Sequence, residues 1–131
     1  MKQRRILAIL VCLVLVASMA VVASAATSKT FFTKKAEGYQ CVGTGNIDGS
    51  KATATLKATA LPLQQIIPGG DCASTICVLA YDTYGVYIGY SIAYGGVTAS
   101  ASYTAMKTIA CTYSSFEFNL VDLGTYSLCA D

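Results

Sequence analysis

The sequence predicts an all-β fold, a small antiparallel β-sandwich of about seven strands built from hairpins. Apolar and polar residues alternate with a period of two in several short runs, as in strands with one buried face. Turn dipeptides such as Asp48-Gly49 and Gly95-Gly96 separate these runs. No stretch after residue 25 has the period of an amphipathic helix, so strands are expected throughout the domain.

The N-terminal 25 residues have the composition of a secretory signal peptide. Basic residues precede an apolar run, Ile6–Val22, and Ala23-Ser24-Ala25 supplies the small residues of a cleavage site. Residues 1–25 are therefore predicted to be removed, leaving residues 26–131 as a single secreted, extracellular domain. Because the apolar run is longer than a usual signal core, the alternative is an uncleaved anchor that tethers the protein to a membrane.

The charge of the secreted domain differs from that of the whole chain. Cleavage would remove three of the nine basic residues, leaving six lysines against seven acidic residues and a net charge of −1. The domain would then contain no arginine and no basic cluster beyond Lys34-Lys35. Neither a nucleic-acid partner nor stable membrane insertion after cleavage is expected.

The first half of the domain predicts a strand followed by a hairpin. Thr27–Lys35 is expected to be a lead-in strand anchored by Phe31 and Phe32, and residues 36–38 a turn. Closing the Asp48-Gly49 turn with Ile47 opposite Ser50 gives a hairpin with one apolar face and one face rich in threonine and lysine. Its buried residues would be Tyr39, Cys41, Gly43, Gly45, Ile47, Ala52, Ala54, Leu56 and Ala58. Leu61–Asp71 contains both prolines and is the expected crossover between the sheets.

The stretch Ile76–Cys111 predicts a three-stranded meander. Asp82-Thr83-Tyr84-Gly85 fits a three-residue hairpin loop with a bulge, which places Asp82 opposite Val86 and buries Ile76, Val78 and Ala80. Gly95-Gly96 is expected to close a second hairpin with Tyr94 opposite Val97. The central strand would then bury its even-numbered residues, Val86, Ile88, Tyr90, Ile92 and Tyr94.

The two hairpins resemble each other after a shift of 47 residues, which lays Asp48-Gly49 on Gly95-Gly96. Both internal duplication and coincidence in an Ala/Ser/Thr-rich composition explain this. At the C-terminal end, residues 112–115 are expected to form a loop. A strand with Phe116, Phe118 and Leu120 on one face follows, and after a turn at Gly124 comes a last strand, Thr125–Cys129.

Five cysteines remain in the predicted secreted domain, and export makes disulfides plausible. Cys41 and Cys111 are expected to point between the sheets, so a bridge between them is the leading choice. Cys72 with Cys77 is the next pair if a turn intervenes. The odd count leaves at least one cysteine, among these four and Cys129, free or paired between chains.

The residue types of the chain argue against catalysis. The sequence contains no histidine, which removes Ser-His-Asp and Cys-His chemistry and mixed zinc sites. The acidic residues occupy turns or outward strand positions, and Gly43-Thr44-Gly45 lacks the rest of a nucleotide-binding loop. Lys107 interrupts the inward pattern after Ala105, which indicates a bulge near Met106 or a position at the sheet rim. No enzyme activity, no cofactor and no metal site are expected.

A secreted structural or binding module is therefore the expected function, with an unknown surface polysaccharide or protein as partner. A bacteriocin-like antagonist of other cells is the alternative. The candidate ligand platform consists of Tyr81, Tyr84 and Tyr87, whose rings offer a flat apolar face and a hydroxyl edge.

In the predicted register of that platform Tyr81 lies opposite Tyr87, with Thr104 beyond and a neighbouring row of Leu79, Gly89 and Ser102. Tyr84 at the turn tip would close one end. The competing interpretation is that the C-terminal segment around Tyr126 covers these rings.

Overall fold

The computed structural model describes residues 26–62 and 72–130, and in these ranges it contains eight β-strands and no helix. The strands are β1 Thr27–Ala36, β2 Tyr39–Asp48, β3 Lys51–Ala60, β4 Ser74–Tyr81, β5 Tyr87–Gly95, β6 Thr98–Thr104, β7 Cys111–Phe118 and β8 Val121–Cys129. The predicted signal peptide and most of the predicted crossover lie outside the described residues. No described segment is a helix long and apolar enough to cross a membrane.

The strands form two four-stranded antiparallel sheets, with the orders β1-β2-β3-β6 and β5-β4-β7-β8. Their inner faces form one core, whose largest fully buried side chains include Phe116, Phe118, Ile47, Leu56 and Ile76. The all-β, sandwich-like prediction is confirmed, with eight strands instead of about seven.

The predicted lead-in strand is confirmed as β1, and a bulge between Thr30 and Phe32 turns two consecutive phenylalanines inward. Both rings pack against Tyr126, with centroid distances of 5.5 Å for Phe31 and 5.1 Å for Phe32. The glycines of β2 make room for them, because a Cβ at Gly43 or Gly45 would overlap these rings.

The hairpin of β2 and β3 has the predicted faces but a different register. Asp48 pairs with Lys51 and Ile47 with Ala52, so the turn residues are Gly49 and Ser50, and each pairing is displaced by two residues from the prediction. Gly49 has a φ of +61°, at the first central position where a type II′ turn favours glycine. A two-residue displacement leaves the same side chains inside, because the side-chain period is also two.

The predicted hairpin at Gly95-Gly96 is wrong, since these residues carry the chain from one sheet to the other. β5 pairs with β4, and β6 pairs with β3. β6 matches β3 on both faces: Ala99 and Ala101 join the core, while Ser100 and Ser102 lie 3.2 Å from Thr55 and Thr53, oxygen to oxygen. The two similar segments are therefore neighbours in one sheet and not equivalent halves of two hairpins.

The turn between β4 and β5 is confirmed, but the predicted buried face of β5 is wrong. The Asp82 N–H donates to the Val86 carbonyl at 2.9 Å, and Ile76, Val78 and Ala80 are buried. Tyr81 pairs with Tyr87 as predicted. Ala80 then pairs with Gly89, so Ile88 is a bulge that shifts the rest of the strand by one residue.

The bulge turns Tyr90, Ile92 and Tyr94 to the outside. Its cause is Tyr103 on β6, whose hydroxyl donates to the Ile88 carbonyl at 2.8 Å. The ring of Tyr103 occupies the space beside Gly89, where any Cβ would overlap it. Because β6 pairs with β3, the strand predicted as the centre of the meander, β5, is an edge strand. Its neighbour β4 lies inside the sheet.

The C-terminal strands also differ from the prediction. Residues 112–115 belong to β7 and are not a loop, and Phe116 and Phe118 are buried as expected. Leu120 lies in the turn with φ +66° and is 91% exposed, and Gly124 lies within β8 at a bulge. The Asn119–Leu120 turn contains no glycine or proline, so its sequence gave little indication of a hairpin there.

A disulfide is present, but the predicted Cys41–Cys111 pairing is wrong. Cys111 and Cys129 are opposite each other on β7 and β8, with Cα atoms 4.0 Å apart, and are bridged. Cys41 does point into the core. Cys111 faces outward, because the buried residues of β7 are the even-numbered ones. Cys41, Cys72 and Cys77 are free thiols, so the predicted pairing of Cys72 with Cys77 is not formed.

Candidate binding surface

The outer face of the β5-β4-β7-β8 sheet carries aromatic side chains in adjacent rows. One cross-strand row contains Tyr87, Tyr81 and the Cys111–Cys129 bridge, and the next contains Tyr90, Leu79, Tyr113 and Ser127. We call Leu79, Tyr81, Tyr87, Tyr90 and Tyr113 the tyrosine face. Because both rows lie at the end of the sheet where the β4–β5 turn begins, the aromatic residues are concentrated at one end.

The tyrosine rings contact one another and remain open to solvent. The Tyr81 ring lies between those of Tyr87 and Tyr113, at centroid distances of 5.8 and 5.4 Å and interplanar angles of 67° and 82°. Edge-to-face contacts of this kind are the favoured geometry of aromatic pairs. Tyr87, Tyr90 and Tyr113 are nevertheless 48, 57 and 45% exposed. Partial burial raises the pKa of Tyr87 above its ordinary value.

A groove of about 700 Å³ runs along part of this face. Leu79, Tyr81, Cys111 and Tyr113 form its floor, Thr83 and Gly85 of the turn bound one end, and Thr125 of β8 bounds the other. This volume is within the range of small-molecule sites in proteins. Since the floor belongs to paired strands, the rings stand on a rigid base.

The turn at the end of the groove is fixed by Asp82. Its carboxylate accepts hydrogen bonds from the N–H groups of Tyr84 and Val86, at 2.9 and 3.0 Å, and from Lys107 Nζ at 3.0 Å. The hydrogen bond from Lys107 and the one from the Val86 N–H lower the pKa of Asp82. Because β6 ends at Thr104, Lys107 lies neither in a bulge nor at the rim of that strand. It lies in the 105–110 loop, and its amine is paired instead of standing free in water.

The structure brings together two of the three residues of the predicted platform. Tyr81 and Tyr87 are opposite each other, whereas Tyr84 is 89% exposed at the turn tip and does not line the groove. The predicted neighbours Thr104 and Ser102 are in the other sheet, because the Gly95-Gly96 hairpin does not form. Leu79 pairs with Tyr90 and not with Gly89, because of the bulge at Ile88.

Tyr113 and Tyr90 are the residues of this surface that the sequence prediction missed. Tyr113 was expected in a loop, although Thr112, Ser114, Phe116 and Phe118 form an unbroken buried row that places it outward. That alternation was the available signal, weakened because its first two inward residues are polar. The proposed cover is also wrong, since Tyr126 packs inward on Phe31 and Phe32.

No model of a known protein family matches this chain, and no curated protein sequence matches it either. Among the described residues, no group of three or more Cys, Asp or Glu side chains is arranged to hold a metal ion. The geometry of the exposed tyrosines is therefore the observation on which a functional proposal has to rest.

Proposed function

We propose that this protein is an exported, non-catalytic binding module that acts at or outside the cell surface through its tyrosine face. One observation carries the proposal: the Tyr81 ring contacts those of Tyr87 and Tyr113 on a sheet face that the described chain leaves open. Contiguous exposed aromatic surface is unusual on a protein without a partner and is typical of interaction sites.

Tyrosine is well suited to such a surface. Its ring supplies a large contact area, its hydroxyl forms hydrogen bonds at the edge, and ordering it costs little because the side chain has two rotatable bonds. Here Tyr81 is half-buried and held between two other rings. The surface therefore needs little further ordering on binding, which favours affinity.

The electrostatics of the groove support binding over catalysis. Asp82 is the acid at the groove, and its carboxylate is 5% exposed and occupied by Lys107 and two backbone N–H groups. A carboxylate held in this way is not available as a general base or nucleophile. The proposed partner is a polysaccharide or a protein of a cell surface, and export rests on the predicted signal peptide of residues 1–25.

The test starts from cells that express the full sequence. The protein is collected from the medium, and its intact mass should correspond to a chain that begins at Ala26. Recovery only from membranes with residues 1–25 attached would overturn export. The secreted protein is then applied to insoluble cell-wall material and its retention is measured.

A double variant, Tyr81→Ser with Tyr87→Ser, should lose retention while its melting temperature stays close to that of the wild type. Tyr94→Ser is the matched control, because Tyr94 is 78% exposed on the same strand but lies two rows away from the contacting rings. Unchanged retention in the double variant contradicts the proposal. A collapse of its melting temperature does so too, since the rings would then stabilise the fold and not a complex.

A further inference from the structure

We infer that the groove on the tyrosine face takes an uncharged sugar ring of a polysaccharide, an inference that rests on the proposed function and names its ligand class. Three properties of the groove carry it: the absence of unpaired charge along its lining, the arrangement of its rings and hydroxyls, and its openness to solvent.

The charge of the lining favours a neutral ligand. Asp82 forms an ion pair at 3.0 Å with Lys107 and is 5% exposed, and Lys107 is not among the residues that line the groove. The remaining lining side chains are apolar, aromatic or hydroxyl-bearing. Glu117 and Asp122 occupy opposite positions on β7 and β8, one row beyond Thr125 and outside the lining, and their negative charges disfavour an anionic polymer on this face. An anionic ligand would lose hydration here without gaining a counter-ion.

The rings and hydroxyls match the two surfaces of a pyranose. A pyranose ring has apolar C–H faces and a rim of hydroxyls. The Tyr81 and Tyr113 planes meet at 82°, so one ring can pack on a C–H face while the other borders its rim. Thr83 and Thr125 add hydroxyls at the two ends, and the Thr125 hydroxyl lies 2.8 Å from that of Ser115. A sugar in the groove can therefore stack on a ring in the middle and form hydrogen bonds with hydroxyls at the two ends.

The shape of the groove favours a polymer over the aromatic anchor of a protein. Protein hot spots fill closed, fully desolvated pockets, whereas this groove lies open on the surface of a sheet. It crosses from β4 to β8, two strand spacings or about 10 Å. Since it is open to solvent, a sugar within a chain can occupy it while its neighbours remain outside.

The experiment measures retention of the secreted protein on four insoluble polysaccharides. Chitin and cellulose are neutral, chitosan at mildly acidic pH is the cationic form of the chitin backbone, and cross-linked pectate is anionic. We expect retention on at least one neutral polymer at least about tenfold above that on chitosan and pectate. Tyr113→Ser should reduce it by about tenfold or more, as removal of a central aromatic contact does. Tyr94→Ser should leave it unchanged.

A second variant tests the charge argument without removing a ring. Thr125 is exposed, so Thr125→Lys should fold normally and place a cation at the end of the groove. It should bind the neutral polymers more weakly and pectate more strongly than the wild type does. If neither retention changes, the groove is not the contact site and the inference is overturned.

The remaining outcomes separate this inference from the proposed function. Equal or stronger retention of the wild type on chitosan or pectate, lost in Tyr113→Ser, overturns the neutral-sugar inference and leaves a binding module. Retention only on a cell-wall fraction whose binding capacity protease treatment destroys also overturns the inference, because the partner is then a protein. Retention on none of these materials overturns both.

Discussion

The outer faces of the two sheets are built on the same alternation and differ in what they leave exposed. On the β1-β2-β3-β6 sheet the outward residues are mainly threonine, serine and lysine, and we call this side the hydroxyl face. Its side chains satisfy one another: Ser28 donates to Asn46 at 2.7 Å, and two Thr–Ser pairs lie on β3 and β6. The tyrosine face instead leaves aromatic carbon open. The hydroxyl face therefore has its polar groups satisfied by one another and by water, whereas the tyrosine face exposes apolar area that suits a partner.

The outward position of Tyr90 also depends on a break in register between β4 and β5. On the hydroxyl face the β2–β3 and β3–β6 pairings run without a break in register, and the β1–β2 pairing has one bulge, between Thr30 and Phe32. The β4–β5 pairing has the bulge at Ile88, and the β7–β8 pairing has one at Leu123. Without the bulge at Ile88, Tyr90 would point inward. Its place on the tyrosine face is therefore a consequence of register and not of composition alone.

The largest effect on stability is expected from removing the disulfide, which lies in the same cross-strand row as Tyr81 and Tyr87. Replacing Cys111 and Cys129 together by serine should lower the free energy of unfolding by about 3 kcal/mol, since the bridge closes an 18-residue separation. Urea unfolding measures this. Cys77→Ser on the same face is the control and should have a much smaller effect, because Cys77 is a free, half-buried thiol. Equal losses in the two variants would contradict the assigned bridge.

The bulge that turns Tyr90 and Tyr94 outward can be tested by substituting Gly89. Gly89→Ala should destabilise the protein by about 1–3 kcal/mol, because the new methyl group overlaps the Tyr103 ring. Tyr103→Phe keeps the ring and removes the hydrogen bond to the Ile88 carbonyl, so it should cost about 1 kcal/mol. Urea unfolding of both variants checks the order. If Gly89→Ala is as stable as the wild type, Tyr103 does not hold the bulge as described.

A smaller effect is expected from the Asp82 turn, and it should depend on pH. Lys107 and the Val86 N–H hold the pKa of Asp82 below its ordinary value of about 4. The ionised carboxylate therefore stabilises the fold above that value, and the contribution is lost as the pH falls through the lowered pKa. Asp82→Asn should melt at a lower temperature than the wild type at neutral pH.

The gap in melting temperature between Asp82→Asn and the wild type should close in strong acid. Lys107→Met removes the partner charge and should show the same pH dependence with a smaller gap at neutral pH, because the backbone hydrogen bonds remain. A gap that stays constant from neutral to strongly acidic solution would show that the charge of Asp82 contributes nothing.

The smallest effect is expected on the hydroxyl face. Thr55→Val keeps a β-branched side chain and removes the hydroxyl that lies 3.2 Å from Ser100. Because this face is open to water, the free energy of unfolding should change by less than about 0.5 kcal/mol. Retention on cell-wall material should not change. A loss of retention in this variant would move the contact surface to the other sheet.

Local patterns in the sequence predicted the strands, the Asp82–Gly85 turn and the inner face of β4, because alternation and turn residues act over a few positions. They failed where distant residues decide. The partner of β6 is β3, a strand far away in the sequence, and the bulge that sets the outward face of β5 lies against the Tyr103 ring of β6. For the candidate site, the pairing of Tyr81 with Tyr87 was predictable from one turn, whereas Tyr113 needs the order of strands in the sheet.

The central claim is that the tyrosine face, and not the hydroxyl face, contacts the partner. Hydroxyl-radical footprinting of the secreted protein, free and retained on cell-wall material, tests it most directly. We expect oxidation of Tyr87 and Tyr113 to fall several-fold in the bound state, while Leu120, 91% exposed in the β7–β8 turn, stays equally reactive. Unchanged oxidation of both tyrosines in the retained protein would contradict the claim.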